Sequence, residues 1–174
     1  MDIVAIIIII LISILLVLTF YIIGLYNRLI DAKNRIEDQF TQIDLELRNK
    51  IELLDNAIEI IKNITKHEEK TINEIYQTIN KFEKSKNIND KINASNNINK
   101  QLFKIFNLKE TYIDLKKNKN FIILQEKIEN IDDKINYART FYNDVVLDYN
   151  NLREQFPSNL IAKVFKFKEI NYYK

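Results

Sequence analysis

An uninterrupted apolar segment begins the chain. Residues Ile3 to Ile23 include no charged side chain, and as an α-helix they would extend about 31 Å, the thickness of a bilayer's hydrocarbon core. A cleaved signal peptide has a shorter apolar region, a basic start and a small-x-small site, whereas Asp2 precedes this run. Core helices of soluble proteins are more often amphipathic. The pattern therefore predicts a retained transmembrane helix, with Ile3, Ile10, Leu16 and Ile23 along its span.

The charges that flank this segment predict its orientation. No Lys or Arg precedes it, whereas Arg28, Lys33 and Arg35 follow it. Because the cytoplasmic flanks of membrane helices are enriched in Lys and Arg, we expect the N-terminus outside and the rest of the chain in the cytoplasm. Tyr21 and Tyr26 bracket the exit of the helix, where interfacial aromatic residues are common.

Behind the anchor, apolar residues recur at helical spacing. From Ile36 to Ile61 the steps are three or four residues, and the same face resumes from Ile72 to Phe82 after a polar gap at Thr65 to Glu68. No Gly or Pro marks a turn near residues 47–56. The pattern therefore leaves open whether residues 25–83 form one long helix or two.

Further apolar stripes follow in the second half. Residues 84–99 are rich in Asn, Lys and Ser, which predicts a turn or a frayed helix end. Another apolar face ends in a break at residues 115–120, and a regular stripe then runs from Phe121 to Phe156 in steps of three or four. This last stripe is the strongest helix signal after the apolar segment.

None of these stripes can be buried alone, and short connections make neighbouring helices antiparallel. We therefore predict an all-α fold, in which an N-terminal transmembrane helix is followed by an antiparallel up-and-down four-helix bundle with long helices. The predicted domains are the anchor at residues 1–24, the bundle at 25–156 and an amphipathic C-terminal tail at 157–174.

Composition excludes several kinds of site. The chain has no cysteine and one glycine, which excludes disulfides, thiolate metal sites and a glycine-rich phosphate loop. The formal charge of +2, from 26 basic and 24 acidic residues, argues against nucleic acid as a partner. The lone histidine, His67, belongs to no Glu-x-x-His or His-Glu-x-x-His motif and should be solvated or line the polar gap. We expect no catalytic residue, cofactor or metal.

The end of the chain combines aromatic, basic and helix-ending residues. Pro157 should end the preceding helix at Phe156, and Ser158 or Asn159 can cap a short new helix. The next segment mixes apolar and basic residues, so we expect it at headgroup height on the bilayer. The residues proposed for this contact are Lys163, Phe165, Lys166 and Phe167. Alternatively, the apolar residues of this segment fold back onto the bundle or onto a neighbouring chain.

The last long helix carries more aromatic residues than one buried stripe needs. Tyr142 and Tyr149 lie on the apolar stripe, whereas Tyr137 and Phe141 flank it one turn apart. We predict that the excess contacts another chain, because exposed aromatic residues are common at protein interfaces.

Two blocks of residues resemble the LemA family. The first lies behind the anchor and comprises Tyr26, Asn27, Phe40, Gln42, Ile43, Asp44, Asn56, Lys62, His67 and Glu68. The second lies near the C-terminus and comprises Ala138, Arg139, Phe141, Tyr142, Asn143, Tyr149, Asn150, Phe156, Pro157, Ser158 and Asn159. The resemblance runs in order along the chain, and the last motif, Phe-Pro-Ser-Asn, is its most specific part.

Some positions depart from the family pattern, and the departures affect what it implies. Asp55 stands where the family has a proline, which puts a bend near residue 50 in question, and Lys166 replaces a glycine. The resemblance implies a bacterial, N-terminally anchored four-helix bundle without an established enzymatic activity. Some relatives belong to magnetosome membranes, and genes of the family often neighbour those of membrane proteases.

Two hypotheses about function follow. The first is a non-enzymatic scaffold that self-associates on the cytoplasmic surface of the bacterial inner membrane, with the bilayer and further copies of itself as partners. The second is an adaptor or regulator of a membrane protease or another membrane protein complex. A large, uniform homo-oligomer would favour the first, and a monomer that co-purifies with a protease would favour the second.

Overall fold

The computed structural model describes residues 3–65 and 68–173, and the described part is helical without strands. The helices are α1 (Ile3–Ile64), α2 (Glu69–Lys84), α3 (Ile88–Thr111), α4 (Ile113–Lys117), α5 (Lys119–Glu154) and α6 (Ser158–Val164). The all-α prediction is therefore confirmed. The described residues form two compact units, which we name the terminal unit (residues 3–39 and 142–172) and the central unit (residues 40–141 and Tyr173).

The polar contacts of the central unit show the direction of α3. Lys91 Nζ lies 2.6 Å from Asp44 Oδ1, and Lys50 Nζ lies 2.6 Å from Asn99 Oδ1. Numbering increases along α1 and α3 in the same sense, so these two helices run parallel. The connection from α2 to α3 is only three residues long, so these two neighbours run antiparallel, as short connections require.

The direction of α5 follows in the same way. Lys50 of α1 pairs with Asp132, and Glu46 pairs with Lys134 further along α5 at 4.0 Å. Numbering therefore increases in opposite senses along α1 and α5. The central unit alternates in direction from α1 to α2, α3 and α5, which is the predicted up-and-down four-helix arrangement, with α4 as a single short turn of helix before α5.

The core of the central unit is the apolar stripe seen in the sequence. Its α1 part is buried at every predicted position: Phe40, Ile43, Leu47, Ile51, Leu54, Ile58 and Ile61. The α2 part is buried in the same way at Ile72, Ile75, Ile79 and Phe82. Each helix buries one face against the others, so the stripes fill a single core, as amphipathic helices of a bundle do.

Two connections between helices could not be predicted from the sequence pattern. Helix α1 continues without a break to Ile64 and ends at the predicted polar gap, so residues 25–83 are two helices. Asp55, which stands in place of a proline, keeps its backbone N–H and allows this continuity. The loop predicted at residues 84–99 is much shorter, because α3 begins at Ile88 after Asn87 accepts a capping hydrogen bond from the Asp90 amide at 2.9 Å.

A buried lysine ties three helices of the central unit together. The side chain of Lys50 is 1% exposed, and its ammonium group contacts Asn99 on α3 and the carboxylate of Asp132 on α5. Burial lowers the pKa of Lys50 from its usual value, and the contact with Asp132 opposes that shift. A buried ammonium requires such partners, because an unpaired charge in a core is very costly.

The terminal unit joins the start of α1 to the end of the chain. Leu25, Leu29 and Ile36 of α1 are buried there together with Tyr142 and Val146 of α5. Helix α5 ends at Glu154, before the cis peptide bond between Phe156 and Pro157, and α6 follows. The residues after α6 form an irregular tail.

The stripe on α5 makes a direct prediction about stability. Ile135 is buried in the core of the central unit, so Ile135→Ala should lower the free energy of unfolding by about 2–5 kcal/mol, because it leaves a cavity among packed side chains. Chemical denaturation followed by circular dichroism measures this change. Glu126→Ala, at an exposed position of the same helix, should shift it by less than about 0.5 kcal/mol. Equal effects of the two substitutions would contradict the assigned core.

Candidate functional site

The first part of α1 has the properties of a membrane span. Its most apolar 18-residue window has a mean hydropathy of 3.5, and none of that window is buried within the structure. The predicted span residues Ile3, Ile10, Leu16 and Ile23 are all exposed. The two hydroxyl side chains, Ser13 and Thr19, donate to the carbonyl groups of the residues four positions earlier, at 2.9 and 2.8 Å. One N-terminal apolar helix therefore fits a single-pass membrane anchor.

The segment around α6 lies directly against the exit of this apolar helix. The ring of Tyr26 stacks with Phe165 at a centroid distance of 4.8 Å and with Phe167 at 5.7 Å. Tyr26 follows the last residue of the apolar run, Ile23, by about 4.5 Å along the helix axis. Both phenylalanines therefore contact a residue that lies less than one helical turn beyond the end of the apolar run.

The surface of the α6 segment is rich in apolar side chains. Val164 is 71% exposed and Phe156 is 80% exposed, and Leu160 and Phe165 are also exposed. Lys163 and Lys166 are exposed in the same segment. Such a mixture of solvent-exposed apolar and basic residues is typical of segments that lie in the interface of a bilayer.

The helix cap predicted at Ser158 or Asn159 differs from the observed one, which is Pro157. Helix α6 begins at Ser158, but its cap forms no side-chain hydrogen bond. The hydroxyl of Ser158 turns back instead to the carbonyl group of Leu152, in the last turn of α5, and to that of Gln155, just after α5. The buried Ser158 therefore satisfies carbonyls that have no partner within α5, while Asn159 is half-buried beside it.

An asparagine on α5 binds the main chain of the irregular tail. The amide nitrogen of Asn150 donates to the carbonyl oxygen of Ile170 at 2.9 Å, and the backbone N–H of Ile170 donates to Asn150 Oδ1 at 3.2 Å. One buried side chain thus satisfies both backbone groups of one residue. An adjacent β-strand would supply the same donor and acceptor.

Two tyrosines extend this contact in both directions. The hydroxyl of Tyr149 donates to the Lys168 carbonyl at 2.8 Å, and the hydroxyl of Tyr142 donates to the Asn171 carbonyl at 3.2 Å. Seven helical residues separate the two tyrosines by about 10.5 Å, and three extended residues span about 10 Å. The order of the two contacts shows that the tail runs antiparallel to α5, and the spacings are compatible with an extended backbone between residues 168 and 171. We name Tyr142, Tyr149 and Asn150 the tail clamp.

Burial changes the acidity of the tail clamp. It raises the pKa of Tyr142 from 10.0 to about 12, and it also raises the pKa of Tyr149, although Arg153 opposes the shift there. Both hydroxyls therefore stay protonated as donors at neutral pH. Tyr142 and Tyr149, which the sequence places on the apolar stripe, are fully buried against their own chain, so they are not part of an exposed surface.

The other two aromatic residues form an exposed pair in the central unit. Tyr137 is 70% exposed and Phe141 is 44% exposed, and their rings meet edge-to-face at 4.8 Å. On another part of this unit, Tyr173 is buried, its hydroxyl bonds to Ser95, and its ring lies 4.7 Å from the guanidinium carbon of Arg139. The exposed pair is therefore the part of the aromatic cluster that is open to solvent.

The remaining predicted residues do not converge on one place. Asn27, Gln42 and Asn56 are exposed, and Asn143 is half-buried. His67 lies outside the described residues. Within the described residues, no group of three His, Asp or Glu side chains is arranged to hold a metal ion.

Asp44 has a structural role in the central unit. It accepts hydrogen bonds from Lys91 at 2.6 Å and from Arg48 at 3.0 Å. Burial raises the pKa of Asp44, but the two cationic donors outweigh that effect and leave the pKa below its usual value. The carboxylate therefore remains charged and links α1 to α3.

Sequence reasoning missed the partners of the tail clamp and the buried Lys50. Lys50 directly precedes Ile51 of the apolar stripe, at a point where the stripe advances by four residues from Leu47. This position beside the stripe was the sequence signal for its burial. The residues that accept from the clamp do so through their backbone, so their side chains carry no signal.

The tail clamp makes a prediction about local stability. In Asn150→Leu, both backbone groups of Ile170 lose their partner, which costs about 1–3 kcal/mol for buried groups. We expect faster hydrogen exchange in the C-terminal peptide that contains Ile170, measured by mass spectrometry. Asn151→Leu is the matched control, because Asn151 is the exposed neighbour on the same helix. Equal exchange in both variants would show that Asn150 does not hold the tail.

Comparison with known proteins agrees with the resemblance described above. The model of the LemA family matches residues 39–174, which is most of the chain and begins after the apolar run. No curated protein matches the chain. The matched region contains all three residues of the tail clamp and the Phe-Pro-Ser-Asn motif at residues 156–159. This protein therefore belongs to the LemA family.

Proposed function

We propose that this protein is a membrane-anchored helical scaffold that self-associates at the cytoplasmic surface of the bacterial inner membrane and performs no catalysis. The anchor is the apolar part of α1, and the segment around α6 rests on the bilayer beside it. The central unit carries the surface through which copies associate.

One observation carries the membrane part of this proposal, namely the contact of Phe165 and Phe167 with Tyr26. If the apolar run spans the hydrocarbon core, these rings lie in the headgroup layer, which adds about 5–8 Å on each side of that core. The exposed apolar side chains of α6 then have an environment that accepts them. The nearby lysines are each attracted to an anionic surface by about 1 kcal/mol.

The proposed orientation rests on the charges after the span. Arg28, Lys33 and Arg35 follow the apolar run and no basic residue precedes it, which supports an external N-terminus and a cytoplasmic bundle. The proposal of self-association rests on Tyr137 and Phe141. Two exposed aromatic rings in mutual contact are typical of the central residues of protein interfaces.

The membrane contact is testable with spin labels, because the chain contains no cysteine that would compete for the label. A label at Val164→Cys in the full-length protein, reconstituted into anionic liposomes, should collide mainly with oxygen, which concentrates in the bilayer. A label at Asp144→Cys, on an exposed position of α5, should collide mainly with a water-soluble nickel chelate. The measurement is the power saturation of each label.

The same variants test the orientation. In intact cells, a membrane-impermeant maleimide should modify Asp144→Cys only after the cells are permeabilised. A water-exposed label at Val164 would contradict the bilayer contact, and modification of Asp144→Cys in intact cells would contradict the cytoplasmic placement.

Self-association should depend on the exposed aromatic pair. The double substitution Tyr137→Ser and Phe141→Ser should weaken association by about 30-fold or more, since the loss of a central aromatic cluster of an interface costs about 2 kcal/mol or more. The measurement is the mass of the full-length protein in mild detergent by light scattering, as a function of concentration.

Phe103→Ser is the matched control, because Phe103 is equally exposed in the central unit but lies on α3. It should leave the mass unchanged. A wild-type protein that is monomeric at all concentrations would contradict the scaffold, and co-purification of that monomer with a membrane protease would support an adaptor instead.

A further inference from the structure

A basic cavity opens in the terminal unit beside the exit of the apolar helix. Its volume is about 400 Å³, and three lysines line it: Lys33 of α1 and Lys166 and Lys168 of the segment after α6. None of the described residues that line it is acidic. The other wall is apolar and includes Tyr26, Ile30, Phe165 and Phe167.

We propose that this cavity binds the phosphate headgroup of an anionic phospholipid. The proposal rests on the proposed function, because it requires a bilayer that ends near Tyr26. The three ammonium groups provide donors and charge for a phosphate. The aromatic and aliphatic wall provides an apolar surface for the glycerol and the first part of the acyl chains.

The level of the cavity suits a lipid rather than a soluble anion. Tyr26 lies about 4.5 Å beyond the apolar run, within the headgroup layer. Lys33 lies further along α1, but side chains on a helix tilt towards its N-terminus, which here is the direction of the bilayer. Lys33 lines the same cavity as Tyr26, so its charge is available to a lipid phosphate bound there.

The backbone at Lys166 supports a role for its side chain. Lys166 has a φ angle of 58°, a left-handed conformation in which residues other than glycine are disfavoured. Glycine would adopt this conformation without strain. A lysine in place of glycine at such a position, with its side chain lining a basic cavity, supports a use for its charge there.

The ion pair between Lys33 and Glu37 leaves the charge of Lys33 available to a bound phosphate. Lys33 Nζ lies 3.5 Å from Glu37 Oε1, and both side chains are about half exposed. Exposed ion pairs of this kind are weak. A phosphate that is bound by several lysines at once can therefore displace or share this contact.

Native mass spectrometry of the full-length protein in detergent tests the site with phosphatidylglycerol and phosphatidylcholine as probes. Phosphatidylglycerol should be retained in preference to phosphatidylcholine, and Lys166→Gln should weaken its retention about tenfold, as expected for loss of one contact with a charged group. Lys163→Gln is the matched control, because Lys163 lies in the same basic segment but does not line the cavity. It should change retention less than about twofold, since a detergent micelle offers no anionic surface.

Lys166→Gly separates binding from folding. The variant should also lose phosphatidylglycerol, but its melting temperature should rise by about 2–4 °C, because glycine relieves the left-handed strain. A lower melting temperature together with loss of lipid would overturn the proposal, since the lysine would then act through the fold.

Each of the remaining outcomes is decisive. Equal retention of the two lipids, or equal effects of Lys163→Gln and Lys166→Gln, would overturn the headgroup site. Displacement of phosphatidylglycerol by excess inorganic phosphate would assign the cavity to a soluble phosphate, whereas no displacement supports the lipid. If the label at Val164 lies in the bilayer while lipid retention is unselective, the proposed headgroup site is rejected and the proposed membrane contact stands. If that label is in water, the proposed function itself fails.

Discussion

A chain segment that packs against a helix without forming regular structure must find partners for its own N–H and C=O groups. In the terminal unit, Asn150 supplies both partners to Ile170, and Tyr142 and Tyr149 supply donors to the carbonyls on either side. Side chains of one helix thus replace the neighbouring strand that a sheet would offer. These three side chains, whose spacing is fixed by the helix, hold residues 168–171 of the tail against α5.

The placement of the basic cavity follows from this arrangement. Tyr149 holds the backbone of Lys168, and two residues earlier the left-handed Lys166 turns the chain away from α6. Phe165 and Phe167 flank that turn and both reach Tyr26. The tail clamp therefore holds one basic wall of the cavity against α1. Without these hydrogen bonds the lysines would be ordinary surface charges on a free end, able to attract an anionic surface but not to converge on one phosphate.

The sequence was most informative where burial is periodic. The apolar stripe of α1 is buried at each predicted position from Phe40 to Ile61, and α1 ends at Ile64, beside the polar gap that the sequence shows but did not identify as a helix end. The reason is that burial of a helix face repeats with the turn of the helix. Hydrophobicity alone also identified the apolar run of α1 as a membrane-spanning candidate.

The sequence was least informative where a side chain binds backbone. Tyr142 and Tyr149 lie on the stripe and are aromatic, so their pattern agreed with core packing and with an interface alike. The hydroxyl groups of both tyrosines bind carbonyls of their own chain, which favours packing within the chain over an interface. These carbonyls belong to Asn171 and Lys168, whose own side chains are exposed. Every residue has a carbonyl, so no residue type marks such an acceptor. The shortness of the α2–α3 connection was missed because asparagine is common in turns. In α3, however, the asparagines occupy mostly exposed helical positions, while Ile92 and Ile98 are buried.

Lys50 shows why a polar group persists in a core built largely from isoleucine and leucine. Apolar stripes of similar side chains can pack in several registers, since sliding by one turn replaces one isoleucine with another. An ammonium group that must meet both Asn99 and Asp132 removes that freedom, because any other register of α1, α3 and α5 leaves a buried charge without a partner. Asp132 is partly exposed, so water can solvate its outer oxygen and moderate the cost of the pair. The lysine thus selects one alignment of three helices, and the surrounding isoleucine and leucine side chains supply the stability.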